Sequence, residues 1–486
     1  MSIKPSIEKC EVTDPAQHYC LRLGRSPEIL GEGKTDCTSD SKKFGAWNAG
    51  QQIILHHSHF SEENTHLRRA FLLPVVFVTY SLAYLDRANY GFGAAAGLAK
   101  TLHITEQRSA LLGALFFLGY FAFQVPGMLL ARRFSGSRLV FVALLLWGAL
   151  ATLTGLIHSF AWLSVDRFLL GIAESVTFPA MLLLLTRWFT RSERSRANSI
   201  LLLGNPVTVL WMSAITGYLI QQIGWQRTFI VEGLPAILWA VVWIAVVRDK
   251  PSQARWMSAE EAQRLEAEIL RQQPSIPKVN AVTSLRSILL RPIALLLSLQ
   301  YFCWSLGVYG FVLWLPTIVH RGAALSMGKT GLLTALPYVF AILFLLKVAQ
   351  ISDRTMRRQE LVWPFLLLAG FAMLGSFLLA EHSFPLAFTC LVISCGCMYA
   401  PYGPYFAIIP ERVPPEVVGE TFAMVNSSGA LGGFIGAYLL GLLHAITGSQ
   451  RAGYLLMALS FIFAALLTLA LPRVSASSPA QEPKYA

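Results

Sequence analysis

Asp86 and Arg87 stand side by side within a run of largely apolar residues, and Arg167 and Glu174 interrupt a second such run. Charged groups in stretches this apolar are costly to keep and mark sites that bind or move charge. Neighbours in sequence point to different sides of a helix. Asp86 and Arg87 therefore cannot satisfy each other and need partners elsewhere, with the second run as the expected source. Arg167 and Glu174 are seven residues apart, close to two helical turns, which puts both on one face about 10 Å apart. These two acids and two arginines sum to zero. A carboxylate arriving among them adds one negative charge, and one proton taken up on Asp86 or Glu174 restores neutrality, so anion and proton favour each other's binding. Proton–anion symport requires that coupling. The competing reading, ion pairs that lock helices together, weighs most for Arg167, and Asp166 is placed nearer the outer interface as a flank.

The runs that hold these charges set the architecture. The 486-residue chain is 55% hydrophobic and only 14% charged, against about a quarter charged for a soluble domain. From Phe71 onward it reads as apolar runs of roughly 18–25 residues, the length that crosses a hydrocarbon core of about 30 Å. Lipid offers an open backbone no partner, so the runs must be helices. They are predicted at 71–97, 109–131, 139–157, 161–186, 197–221, 228–247, 292–319, 331–350, 361–380, 384–409, 420–444 and 452–472. The fold class is an all-α polytopic membrane protein of twelve transmembrane helices.

The net charge of +12 invites a nucleic-acid reading, but its distribution excludes one. Basic residues fall in alternate loops, as at Arg132, Arg133 and Arg138, then Arg187 to Arg196, then Arg354 to Arg358, while the intervening loops carry few. That asymmetry is the positive-inside pattern, and it places both termini in the cytoplasm of a cell (inner) membrane protein. Residues 1–67 are polar, without a signal peptide, and are expected to be an unstructured cytoplasmic tail. Two six-helix bundles, 68–247 and 292–472, flank a cytoplasmic linker, 248–291, in which Ser258 to Glu261 has the pattern of a capping box opening a short helix. A second tail, 473–486, follows. The bundles resemble each other: Ala110-Leu-Leu-Gly-Ala-Leu115 recurs as Gly331-Leu-Leu-Thr-Ala-Leu336. Two such repeats about an axis along the membrane normal, with substrate between them at mid-depth, are the plan of the major facilitator fold.

Three stretches then look like the anion:cation symporter family of major facilitators: Tyr84-Leu-Asp-Arg-Ala-Asn89, Gly171-Ile-Ala-Glu-Ser175 with Phe178-Pro-Ala180, and Trp188-Phe with Glu193-Arg-Ser-Arg-Ala197. So do Tyr309 to Pro316, Tyr402 to Glu411 and Asn426 to Gly433, and the likeness covers about 68–472. It is nearest to sugar-acid permeases of the ketogluconate or aldonate kind. The resemblance implies proton-coupled uptake of a small organic anion by alternating access, with a sugar acid such as 2-ketogluconate, an aldonate or a hexuronate as first expectation. An aromatic or dicarboxylic acid (hydroxyphenylacetate, tartrate or phthalate type) is the alternative, and a transport-dead membrane sensor a third. It further implies that Arg87 holds the substrate carboxylate, that Asp86 and Glu174 are the protonatable pair, and that Arg167 balances their charge. Tyr84, Tyr120 and Asn426 fall where the family contacts substrate, with Tyr309 and Trp314 as weaker guesses, and Asp353 and Arg354 form a conformational latch. A monomer is the family expectation.

One departure stands out. The loop after the second span, Gly127-Met-Leu-Leu-Ala-Arg-Arg133, lacks the acid that the family places there. Other signals are discounted. Gly322 to Thr330 resembles a phosphate loop but has the wrong spacing and no strand before it. The glycines from Gly429 to Gly436 read as close-packing positions. The seven cysteines form neither a disulfide framework nor a metal set, and no catalytic constellation is present, so an enzyme, a cofactor and a bound metal are not expected.

Overall fold

The computed structural model describes residues 70–272, 291–413, 417–449 and 451–472. The tails 1–67 and 473–486 and most of the second part of the linker, 273–290, lie outside the described residues. Helix α1 (Ala70–Ala95) carries Asp86 and Arg87. A short α2 (Leu98–Thr101) leads to α3 (Glu106–Arg133), α4 (Gly136–Thr154), α5 (Phe160–Ser175), α6 (Thr177–Trp188) and α7 (Arg191–Val246). After α8 (Ala259–Gln272) come α9 (Pro292–Ala323), α10 (Met327–Thr355), α11 (Arg358–Leu379), α12 (Phe384–Tyr399), α13 (Tyr402–Arg412), α14 (Val418–Thr447) and α15 (Arg451–Leu469).

Among the described residues, eleven helical stretches are long and apolar enough to span a membrane. One of them, Ile200–Val246, has 47 residues, which is about 70 Å of helix and more than twice the hydrocarbon thickness. Gly224 breaks it, with φ 79° and ψ 163°, a backbone state that glycine reaches without the clash a Cβ would cause. The two limbs of α7 are therefore two crossings, and the chain makes twelve, as its apolar runs predict.

Two further crossings are each built from a pair of helices. Phe160–Trp188 and Phe384–Arg412 contain 29 residues each, and in both the first limb, α5 or α12, is 16 residues long. A proline is the third residue of the second limb in both, Pro179 in α6 and Pro404 in α13. Proline cannot donate to the carbonyl four residues back, and its ring presses on it. The helix consequently breaks at Val176 in one crossing and at Ala400–Pro401 in the other.

The linker begins on the face where α7 ends, here called the linker face. Ser258 and Glu261 form the expected capping box: each backbone N–H donates to the other's side chain at 3.3 Å. Trp256 stacks between Phe71 and Trp188, with ring centroids 5.4 and 5.2 Å away, and donates to the Val246 carbonyl at 3.1 Å. The phosphate-loop lookalike joins two helices, α9 and α10, and the Gly328 N–H is taken by Gln221 Oε1 at 2.8 Å.

Candidate functional site

Backbone contact between α3 and α5 brings the charges together. Gly119 lies against the Phe168 carbonyl and Gly171 against the Phe116 carbonyl, so a Cβ at either would collide with backbone. This close approach seats Glu174, at the end of α5, opposite Arg87 on α1. Arg87 Nε donates to Glu174 Oε2 at 2.9 Å, with both side chains buried. The Arg87 guanidinium lies over the Tyr120 ring at 4.6 Å, with Phe116 at 5.6 Å and Tyr84 at 5.7 Å. Aromatic faces attract a cation that has lost its water.

The guanidinium forms part of the wall of a narrow cavity between the two halves of the molecule. Arg87 is the one charged residue among its fifteen lining residues, and nine of the fifteen are aromatic. Tyr120, Tyr309 and Asn426 share this wall with Arg87, as does Asn205. Tyr84 is not on it; its hydroxyl lies 3.5 Å from that of Tyr399 and so links the halves behind the cavity. Trp314 lines a separate space with Tyr90 and Glu106, and its ring packs 5.9 Å from His444.

The remaining charges lie behind the wall, inside the first half. Asp86 is 2% exposed, and its Oδ1 has no hydrogen-bond partner among the described residues. Arg167 is buried between the rings of Tyr90, at 4.9 Å, and Phe116, at 5.5 Å. Asp166 lies toward the face opposite the linker, beside Thr154 at the end of α4, and is buried among helices. It is 4% exposed and accepts a hydrogen bond from Thr154 Oγ1 at 2.7 Å. The helix turn that aims Arg167 inward carries its neighbour into the α4 contact instead.

Sequence reasoning missed Glu232, which is 6% exposed in the second limb of α7. Asn89 Nδ2 donates to its Oε2 at 3.2 Å, and Thr216 Oγ1 contacts its Oε1. The available signal was an acid standing within a predicted span, four residues after its start. Among the described residues of this half, the buried acids Asp86, Asp166, Glu174 and Glu232 outnumber the buried arginines Arg87 and Arg167. The neutral sum drawn from two acids and two arginines does not hold.

The latch residues sit at the linker face. Asp353 reaches Arg358 at 3.5 Å, and Arg358 in turn contacts Glu411, tying α10, α11 and α13 together. Arg354 is exposed. In the first half, the acid absent from the loop after the second span is supplied by Asp249, just beyond α7. It accepts from the Ser137 N–H at 3.0 Å and lies 3.6 Å from Arg187. On the opposite face the halves meet directly: Arg321 pairs with Glu106 at 3.2 Å, and Gln107 donates to the Tyr438 hydroxyl at 3.3 Å.

Twelve crossings in two repeats, enclosing a central cavity, call for comparison with known transporters. The sequence matches the Major Facilitator Superfamily over residues 76–437 and 331–485. The chain belongs to the major facilitator superfamily. Among its relatives is a quinolone resistance transporter of Acinetobacter baumannii, 30% identical over 82% of this chain and 92% of the relative. A protein of Agrobacterium vitis named as a tartrate transporter is 29% identical over 83% of this chain and 90% of its own length. In fold, this major facilitator is similar to the inward-facing, unoccupied bacterial homologue of the human lysosomal transporter Spinster. The TM-score is 0.64, at 18% identity over 83% of this chain and 95% of that one. The protein is thus a multi-pass membrane transporter rather than an enzyme.

Proposed function

We propose that this transporter carries an organic carboxylate together with protons, by alternating exposure of the Arg87 cavity to the two sides of the membrane. The observation that carries the reading is the Arg87–Glu174 pair, the lone guanidinium of the cavity wall held by a carboxylate whose other oxygen, Oε1, lacks a partner. An anion that takes over the guanidinium releases Glu174, and a proton on Glu174 offsets the added charge. Asp86 and Glu174 are the proposed proton carriers, with Arg167 as a balancing cation and Asp353 with Arg354 at the latch. The linker face, rich in Arg and Lys, is assigned to the cytoplasm of the inner membrane, with both termini on that side, and the working unit to a monomer.

The first-choice substrate is a sugar acid. Five tyrosines of the wall (Tyr80, Tyr120, Tyr301, Tyr309 and Tyr402) and the amides of Asn205 and Asn426 offer polar groups for substrate hydroxyls, while the rings offer faces for C–H groups. A second reading, an aromatic or dicarboxylic acid, is favoured by the number of rings and by relatives named for quinolone resistance and tartrate transport. The test is uptake into proteoliposomes under an imposed proton gradient. Gluconate, 2-ketogluconate, galactonate, glucuronate, tartrate and 4-hydroxyphenylacetate are assayed with wild type and Arg87→Ala. Accumulation of one acid, lost in Arg87→Ala, supports the reading and names the substrate. Accumulation of none, in folded protein, removes it, and binding without exchange points to a sensor.

A further inference from the structure

Glu232 takes no part in the scheme above, yet it is a buried acid of the first half whose described hydrogen-bond partners are all uncharged. It sits about 12 Å along the second limb of α7 from the Gly224 turn, eight residues at 1.5 Å each. Its described contacts are uncharged: the Asn89 amide on α1 and the Thr216 hydroxyl on the first limb of α7. From α4, Thr152 packs against the adjoining Gly233. The titratable group whose field it shares is Asp86, one turn along α1 from Asn89, and Asp86 presents a buried oxygen with no partner. A bare carboxylate with no cation within ion-pair distance among the described residues is prohibitively costly at this depth. With four buried acids against two arginines, two carboxyls must be neutral for the cluster to balance.

We infer that Glu232 is a second proton-binding site of the transport cycle, beside the proposed carriers Asp86 and Glu174. The inference rests on the proton-coupled reading of the Arg87 cavity. Water admitted when the face opposite the linker opens gives Glu232 its proton, forming the O–H bond, and water on the linker side takes it when that face opens, leaving the carboxylate. The Asn89 donor stabilises the anionic form left behind, and Thr216 accepts from the protonated one.

Glu232→Gln tests this in proteoliposomes, through substrate counterflow without a gradient and accumulation under a pH gradient. Each coupled proton multiplies the accumulation ratio about tenfold per unit of pH gradient. Glu232→Gln should keep counterflow and lose about that factor in accumulation. It should also lack a protonated-carboxyl C=O band seen in the infrared spectrum of the wild type. A Glu232→Gln protein that accumulates like wild type, or whose infrared spectrum is unchanged, overturns the site. Accumulation in wild type that follows a sodium gradient at constant pH, and is lost in the variant, overturns it in favour of a metal-cation site. If Glu232→Gln does not fold, Thr216→Val carries the test: a shifted pH dependence of accumulation supports the site and an unchanged one overturns it. Wild type that accumulates no acid on a proton gradient counts against the cavity reading itself, whereas a normal wild type beside an unaffected variant counts against Glu232 alone.

Discussion

The crossing made by α5 and α6 and the one made by α12 and α13 are the same device used twice, with equal lengths and a proline at the same place in the second limb. Their cargo differs. The first carries Asp166, Arg167 and Glu174 within α5, whereas the second carries Tyr399, Tyr402 and Tyr405 around its break. Tyr402 and Tyr405 pack against Tyr301 and Trp304 of α9. The scaffold of the repeat therefore fixes where a helix breaks, and the side chains at the break decide what each half does. The first half holds the charge, and both halves supply the aromatic wall, five rings from the first and four from the second. On this account the first half couples, and the break of the second half adds aromatic residues to a selective wall that the halves share.

The comparison breaks most readily at Arg87. Arg87→Ala should weaken substrate binding by about 100-fold, the loss of a charge-assisted pair, as read by equilibrium binding in detergent. Arg87→Lys should recover only part of it, because the ammonium cannot present a fork to a carboxylate. An aromatic wall residue should behave differently. Tyr402→Ala should raise KM by about tenfold, in keeping with a lost ring contact, and change the rank order of acids while leaving the pH dependence of uptake as in wild type. A pH profile altered in Tyr402→Ala but not in Glu174→Gln would erase the division of labour. The contact opposite the linker face should matter less. Arg321 and Glu106 are about half exposed, so Arg321→Glu should shift the balance of open states by under about 1 kcal/mol. Alkylation of a cysteine placed at Ala110, which packs against Gly441 across the halves, should accelerate correspondingly. A similarly small effect, on stability rather than on the balance of states, is expected at Asp249→Asn, where a partly exposed pair and one hydrogen bond are weakened and Tm should fall by a few degrees, about 1 kcal/mol.

Much of the fold was legible because a bilayer imposes a length on every span, and apolar run length is a property of sequence. The count of twelve holds through α7 as well, because 47 residues cannot be one crossing and Gly224 divides them into two. The breaks in α5/α6 and α12/α13 were also within reach, since Pro179 and Pro404 lie in the quoted motifs, but their matching depth requires aligning the halves. Pairing was the harder part. Helical periodicity says that Arg87 needs a partner from another helix, and the Gly119 and Gly171 contacts then bring Glu174 to it. Nothing local to α7 says that Glu232 turns inward toward Asn89, or that Asp249 replaces the acid missing beyond Gly127, because both depend on how separate helices are seated. Trp314 shows the opposite error: a residue in a shared motif that lies in a different space from the Arg87 cavity.

The most direct test of the account is the proton uptake that accompanies substrate binding. Purified protein in weakly buffered solution with a pH indicator is titrated with the transported acid, alongside Arg87→Ala and Glu174→Gln. The expected result is an uptake of about one proton per anion bound, the sign required if anion and proton favour each other. It should be absent in Arg87→Ala and diminished in Glu174→Gln. Binding of the acid by wild type with no change in proton content, or with proton release, would contradict the claim that the charged half of the molecule couples the two.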